Sequence, residues 1–206
     1  MKRFQLISEA DARVLDYGSA VVLVAGGHVT PLALDTLKTR RVTVIREGTD
    51  VDAEGLAPPS AIRTVAIAGD HTGVALKKAL VQHLRGRGLA VHDLGTDTSE
   101  PVDYPDTAAS VAIQVARGEA EAGIMIDGSG IGSTIAANKV NGIRAAMCVN
   151  QTLARYARQH NGANVLALGS TLVTIDDATT IVDAFLDTSM REPRYMRRLA
   201  KIRDLE

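Results

Sequence analysis

The chain has little that would cross-link it, give it a strong charge or anchor it in a membrane. One of its 206 residues is cysteine, Cys148, so there is no internal disulfide framework, which fits a reducing compartment. Tryptophan is absent and aromatics make up 3%. An interior must therefore be built from Val, Ile, Leu and Ala, as in layered α/β proteins with buried parallel strands. The formal net charge is −1, which gives no whole-chain field toward nucleic acid or acidic membranes, so recognition of an anion has to be local. No run approaches the roughly 20 apolar residues of a membrane span, and the N-terminus lacks an apolar signal core with a small-residue cleavage site. Together these absences predict a cytoplasmic protein with neither a membrane nor a nucleic-acid partner.

Hydrophobic residues supply 46% of the chain, enough for one substantial domain and a small appendage. Residues 1–50 read as that appendage. A helix starts at Ser8, a strand covers Ala20 to Val24, a helix opened by Thr30 and Pro31 runs to Lys38, and a strand covers Val42 to Ile45. Residues 51–62, with Gly55, Pro58 and Pro59, read as a linker. Residues 63–206 form the main domain. Strands are predicted at Val65 to Ala68, Leu89 to Leu94, Gly123 to Ile126, Ile143 to Cys148 and Val165 to Leu168. Helices are predicted at Val74 to Arg85, Ala108 to Ala116, Ile135 to Lys139, Thr152 to Gln159 and Asp176 to Leu186. Such alternation argues for a parallel sheet with helices on both faces.

The chemistry centres on Ile124 to Asn138, where three apolar residues end on Asp127 and the glycines Gly128, Gly130 and Gly132 follow before an Ala-rich helix. Backbone N–H groups approach a ligand closely where no Cβ intervenes, and a helix N-terminus adds partial positive charge. The loop suits a phosphate, a carboxylate or a developing oxyanion; it would also serve as a plain strand-to-helix turn. A carboxylate at the strand's end favours a functional role. Ligands bind at the carboxyl ends of strands in such sheets, and three clusters are expected to converge there: Asp70-His71, the Asp127 loop and His160-Asn161. The first would equally make a capped turn, and His160 would equally end a helix. His28, His83 and His92 have no such company. Near the C-terminus, Arg191, Arg194, Arg197, Arg198 and Lys201 fit either a solvated helix face or an anion clamp. Arg194 and Arg198, spaced i, i+4, are the pair suited to a phosphate.

Six motifs carry a resemblance: Gly69-Asp70-His71, Asp103-Tyr104-Pro105-Asp106, Gly128-Ser129-Gly130-Ile131-Gly132, Ala136-Ala137-Asn138-Lys139, Gly142-Ile143-Arg144-Ala145, and His160-Asn161 running on to Asn164-Val165-Leu166-Ala167. From about Val65 to Arg198 the chain resembles the ribose-5-phosphate isomerase B and galactose-6-phosphate isomerase family. The resemblance implies a Rossmann-like three-layer α/β/α sandwich, a homodimer or dimer of dimers with active sites shared between subunits, no cofactor and no metal. It also implies interconversion of a phosphorylated aldose and ketose through an enediolate, with ribose 5-phosphate the default. The catalytic candidates are Asp127, His160 and Ser129, with His160 assisting ring opening. Substrate-binding candidates are Asp70 and Tyr104 on the sugar, His71, Arg144, Arg194 and Arg198 on the phosphate, and Gly128, Gly130, Gly132, Ser133 and Asn161 around them.

The chain departs from that family at the base. Asp127 stands where many members have cysteine, and Ser133 where another group has glutamate. Asp127 is then the only titratable side chain in the loop and the candidate base, but a carboxylate beside a helix N-terminus is intrinsically weak in that role. Three alternatives stay open: a slower enzyme, a site tuned for a tetrose or hexose phosphate, or an Asp127 that binds a hydroxyl while the proton goes elsewhere. A noncatalytic sugar-phosphate-binding or scaffolding protein is the competing class. Tyr195 stands where relatives often have histidine, Ser129 where many have threonine, and Cys148 reads as structural. Residues Leu6 to Asp11 and Val29 to Asp35 resemble the segment that opens several bacterial microcompartment enzymes, which implies assembly or recruitment into a protein shell; a stabilising extension is the alternative.

Overall fold

The computed structural model describes residues 1–46, 56–190 and 192–206. Arg191 and residues 51–55 of the expected linker lie outside the described residues. The chain divides into two compact units, Met1–Glu54 with Met196–Glu206, and Gly55–Tyr195.

The smaller unit contains β1 (Arg3–Ile7), α1 (Glu9–Arg13), β2 (Ala20–Val29), α2 (Pro31–Thr39) and β3 (Thr43–Arg46), with a parallel sheet in the order β1-β2-β3. Ser8 caps α1 reciprocally: its hydroxyl accepts from Asp11 N–H, and the Asp11 carboxylate accepts from Ser8 N–H. Ile7, Ala12, Leu15, Val21, Leu23, Ala33 and Leu37 form its core. β1 has no counterpart in the sequence reading because only Ile7 is buried along it, so alternation gives no signal. β2 extends past the expected end because Gly26-Gly27 is an irregularity within the strand, where the register with β1 shifts. Met196–Glu206, placed in the main domain on sequence, groups with this unit, and Leu199 and Ala200 are buried.

The larger unit contains β4 (Thr64–Gly69), α3 (Val74–Gly86), β5 (Ala90–Asp93), α4 (Tyr104–Ala116), β6 (Ala122–Asp127), α5 (Ile131–Ala137), β7 (Ala145–Met147), α6 (Gln151–Asn161), β8 (Val165–Gly169) and α7 (Ile175–Leu186). A further helix, α8 (Pro193–Arg203), crosses the division between the units. The five strands are all parallel, in the order β5-β4-β6-β8-β7. Alternate strand residues point to opposite faces. Val65, Ile67, Ile124, Ile126, Leu166 and Leu168 pack with α3, α6 and α7, whereas Ala66, Ala68, Met125, Val165 and Ala167 pack with α4 and α5. This is a Rossmann-like three-layer sandwich.

Two helices start earlier than expected. α4 begins at Tyr104 because Pro105 falls in its first turn, where a missing N–H costs nothing. α5 begins at Ile131, so Gly132 and Ser133 belong to the helix and not to the loop before it.

Candidate active site

At the carboxyl edge of the five-stranded sheet, β4 and β6 deliver their terminal carboxylates side by side. Gly69 is in register with Ile126, and Asp70 N–H donates to the Ile126 carbonyl at 2.9 Å, so Asp70 and Asp127 are neighbours one strand apart. Both are buried, at 5% and 3% exposure. Asp127 Oδ1 accepts from the N–H groups of Ser129, at 2.8 Å, and Gly130; Oδ2 accepts from Ser133 N–H at 2.9 Å and from Ser133 Oγ at 2.5 Å. Burial acts to raise its pKa, but the Ser133 hydroxyl and the N–H groups of Ser133, Gly130 and Ser129 outweigh burial and hold it below the usual carboxylate value. Gly130 must be glycine: its φ is +77°, and a Cβ would lie 2.9 Å from Met147 Cγ.

Much of the loop's N–H surplus is therefore turned onto Asp127. Among the described residues, the N–H groups of Gly128 and Gly132 have no hydrogen-bond partner and remain available to a ligand. Ser129 Oγ accepts from Ile131 N–H at 3.2 Å and keeps its own proton to donate. The Tyr104 ring stands over Gly132, close enough that a Cβ there would approach Cζ to 2.5 Å. Asp70 Oδ1 accepts from Thr72 N–H at 2.8 Å and Thr72 Oγ1 at 2.5 Å. His71 Nδ1 accepts from Val102 N–H at 3.4 Å, which leaves Nε2 as the protonated nitrogen. Asp70, His71, Tyr104, Gly128, Ser129, Gly130, Gly132, Ser133 and Asp127 thus gather at one edge.

His160, Asn161 and Arg144 do not join them. α6 runs back across the sheet and ends at Asn161, ahead of β8, whose Val165 pairs with Gly123 and whose Gly169 pairs with Asp127. About 13 Å of strand separates the two ends. The convergence expected of His160-Asn161 with the other clusters is corrected accordingly: in a parallel βαβ unit the residues before a strand lie at its amino edge. There the His160 ring stacks on Tyr156, with centroids 4.7 Å apart, and meets Tyr195 in a tilted contact, also at 4.7 Å. Arg194 lies over the Tyr195 ring and donates to its hydroxyl at 2.9 Å. Arg144 differs from the expected phosphate ligand, because its guanidinium donates to the carbonyls of Gly162 at 2.8 Å and Leu56 at 3.0 Å. Arg198 lies in the part of α8 assigned to the smaller unit.

Residues 65–202 match the Ribose/Galactose Isomerase family. Ribose-5-phosphate isomerase B of Escherichia coli K12 is 45% identical over 145 residues, which covers 70% of this chain and 97% of that protein. The chain belongs to the ribose/galactose isomerase family. Ribose-5-phosphate isomerase B of Clostridium thermocellum superposes with a TM-score of 0.68 at 46% identity, covering 69% of this chain and 96% of that one. The Mycoplasma genitalium enzyme, solved with bound ribulose-5-phosphate, superposes at 0.65 with 43% identity, covering 68% and 93%.

Within this family member, several site residues escape a reading of sequence. Thr72 grips Asp70, and Ser170 Oγ donates to Thr72 Oγ1 at 3.2 Å, while Thr171 Oγ1 donates to the Gly128 carbonyl at 2.6 Å. The signal for Ser170 and Thr171 is the run Gly169-Ser170-Thr171 at the end of a buried strand. Lys77 is fully buried and donates to Asp93 and, at 2.7 Å, to Asp97, which pins the segment leading to Val102. Arg158 is also fully buried; it donates to the carbonyls of Ala163 at 2.9 Å and Pro59 at 3.1 Å. Burial and the nearby Arg144 lower its pKa to about 10. Cys148 is buried and its thiol is pushed up to about 11, which suits a structural residue. Among the described residues no cluster of His, Cys, Asp or Glu could hold a metal ion.

Proposed function

We propose that this chain interconverts ribose 5-phosphate and ribulose 5-phosphate by proton transfer through an enediolate. The observation that carries the reading is the carboxyl edge itself: two buried carboxylates beside a glycine turn whose Gly128 and Gly132 N–H groups await an acceptor. Moving a carbonyl from C1 to C2 places negative charge on an oxygen, and donors already aimed at it are worth about 3 to 4 kcal/mol each where measured. Family membership and the ribulose-5-phosphate complex of a relative support the substrate class.

The functional site combines the carboxyl edge of one copy with the amino edge of another, in a homodimer or dimer of dimers. What supports this is the separation of Asp70, Asp127 and the glycine turn from His160, Asn161 and Tyr195 within a single chain. In the composite site His160 assists ring opening, Asp70, Tyr104, Ser129 and Asn161 contact the sugar, and His71 and Arg194 take the phosphate. The smaller unit, which lies largely ahead of the family match, serves assembly or recruitment into a microcompartment in the cytoplasm.

The test is proton NMR in D2O with ribose 5-phosphate and a panel of tetrose and hexose phosphates. The expected result is ribulose 5-phosphate with deuterium at C1. No conversion of any member would remove the isomerase reading; faster conversion of a tetrose or hexose phosphate would replace the substrate.

A further inference from the structure

An ionised carboxylate offers about four lone-pair positions, two on each oxygen. In Asp127 all four are taken, by Ser129 N–H, Gly130 N–H, Ser133 N–H and Ser133 Oγ. None is left to accept a proton from carbon unless the turn comes apart. Asp70, on the adjacent strand, is built differently. Both of its bonds, from Thr72 N–H and Thr72 Oγ1, fall on Oδ1, and Oδ2 has no partner among the described residues. Ser19 Oγ is the sole fully buried side-chain nitrogen or oxygen without a partner among the described residues, so Asp70 Oδ2, although its residue is 5% exposed, is not sealed in the interior. Thr72 holds the carboxylate by one oxygen and leaves the other with its lone pairs uncommitted, as a proton acceptor requires.

Resting on the isomerase reading, we infer that Asp70 is the catalytic base of this chain and that Asp127 is a positioning residue that shapes the glycine turn. Asp70 Oδ2 removes the proton from C2 of the open-chain aldose. The C2–H electron pair becomes the C1=C2 double bond, and the carbonyl π pair moves to O1, where the N–H groups of Gly128 and Gly132 meet the charge. The hydroxyl proton then passes from O2 to O1, the carbonyl re-forms at C2, and Asp70 returns its proton to C1. Atoms and electrons balance with no co-reactant. A carboxylate at position 127 in place of a thiol is then explained by its four bonds to the turn.

The experiment compares variants by hydrogen–deuterium exchange and ketose formation with ribose 5-phosphate in D2O. Ribitol 5-phosphate, which has no carbonyl, reports binding. Asp70→Asn is expected to lower both rates by roughly 10² to 10⁴-fold with ribitol 5-phosphate affinity retained. Adding formate to Asp70→Ala is expected to restore exchange, since a small carboxylate can enter the vacated position; a merely structural Asp70 would not respond. Wild-type exchange rates in Asp70→Asn overturn the inference. So does an Asp70→Ala that formate leaves inactive, or an Asp127→Asn that loses exchange while keeping its melting temperature and ribitol 5-phosphate affinity. Absence of exchange in the wild-type protein, by contrast, removes the isomerase reading itself.

Discussion

The two edges of the five-stranded sheet carry opposite polar surpluses. At the carboxyl edge, strands give way to helix N-termini, and carboxylates collect N–H donors: Asp127 takes three and Asp70 one, besides a hydroxyl each. At the amino edge, cations collect carbonyls just past the end of α6 and in the segment ahead of β4: Arg144 holds Gly162 and Leu56, and Arg158 holds Ala163 and Pro59. In part the contrast follows from the groups that a helix leaves unpaired at its ends, such as Ser133 N–H in the first turn of α5 and the carbonyl of Gly162 at the end of α6. The difference teaches which half of a sugar phosphate suits which edge. An enediolate oxygen fits the donors of the carboxyl edge, and a phosphate fits the guanidinium-bearing edge. On the proposed reading, in which one copy lends its amino edge to another's carboxyl edge, the two halves meet only between copies.

The sharpest way to break this comparison is to disable one edge at a time. Asp70→Asn and His160→Asn should each abolish turnover alone. Mixed and allowed to exchange subunits, they should recover about a quarter of wild-type activity, because half the dimers are mixed and each mixed dimer has one intact site. A mixture as inactive as its parents would place both edges' residues in one site of one chain.

A smaller effect separates the edges by stability. Asp127→Ala leaves the N–H groups of Ser129, Gly130 and Ser133 without their acceptor and should cost about 3 kcal/mol in urea unfolding. The sign of its pH dependence is set by the lowered pKa of Asp127. The unfolded chain takes up a proton near the ordinary value of 3.8 and the folded chain only at lower pH, so the stabilisation is present above that value and fades as pH falls through the folded one. The stability gap between wild type and Asp127→Ala should therefore be constant near neutrality and close on acidification. The smallest change expected is at the amino edge: Tyr195→Phe removes the hydroxyl that Arg194 meets but keeps the ring against His160, and should raise KM by the equivalent of about 1 kcal/mol or less with kcat unchanged.

Much of this was legible in the sequence, and the misses have specific causes. Buried runs such as Val65 to Ala68 and Ile124 to Ile126 announce parallel strands by being apolar on both faces. Gly128, Gly130 and Gly132 announce a turn, and the chain carries its family's motifs in order. β1 was silent because one of its residues, Ile7, is buried. His160-Asn161 was assigned to the wrong edge although a parallel order already implies that residues preceding a strand sit at its amino end. Deletion of residues 1–55 would leave Met196–Glu206, and Arg198 among them, without the rest of the unit to which they belong.

By itself the sequence determined the layered α/β class, the place of the anion-accepting turn and the kind of chemistry, because hydrophobic period and turn residues act over a few positions. Only the tertiary structure decided which lone pairs are free. Asp127 closes on Ser133 six residues ahead, and Thr72 bonds to a single oxygen of Asp70. Those bonds depend on how β6 meets α5 and how β4 meets its turn, and two aspartates identical in sequence are thereby given different work.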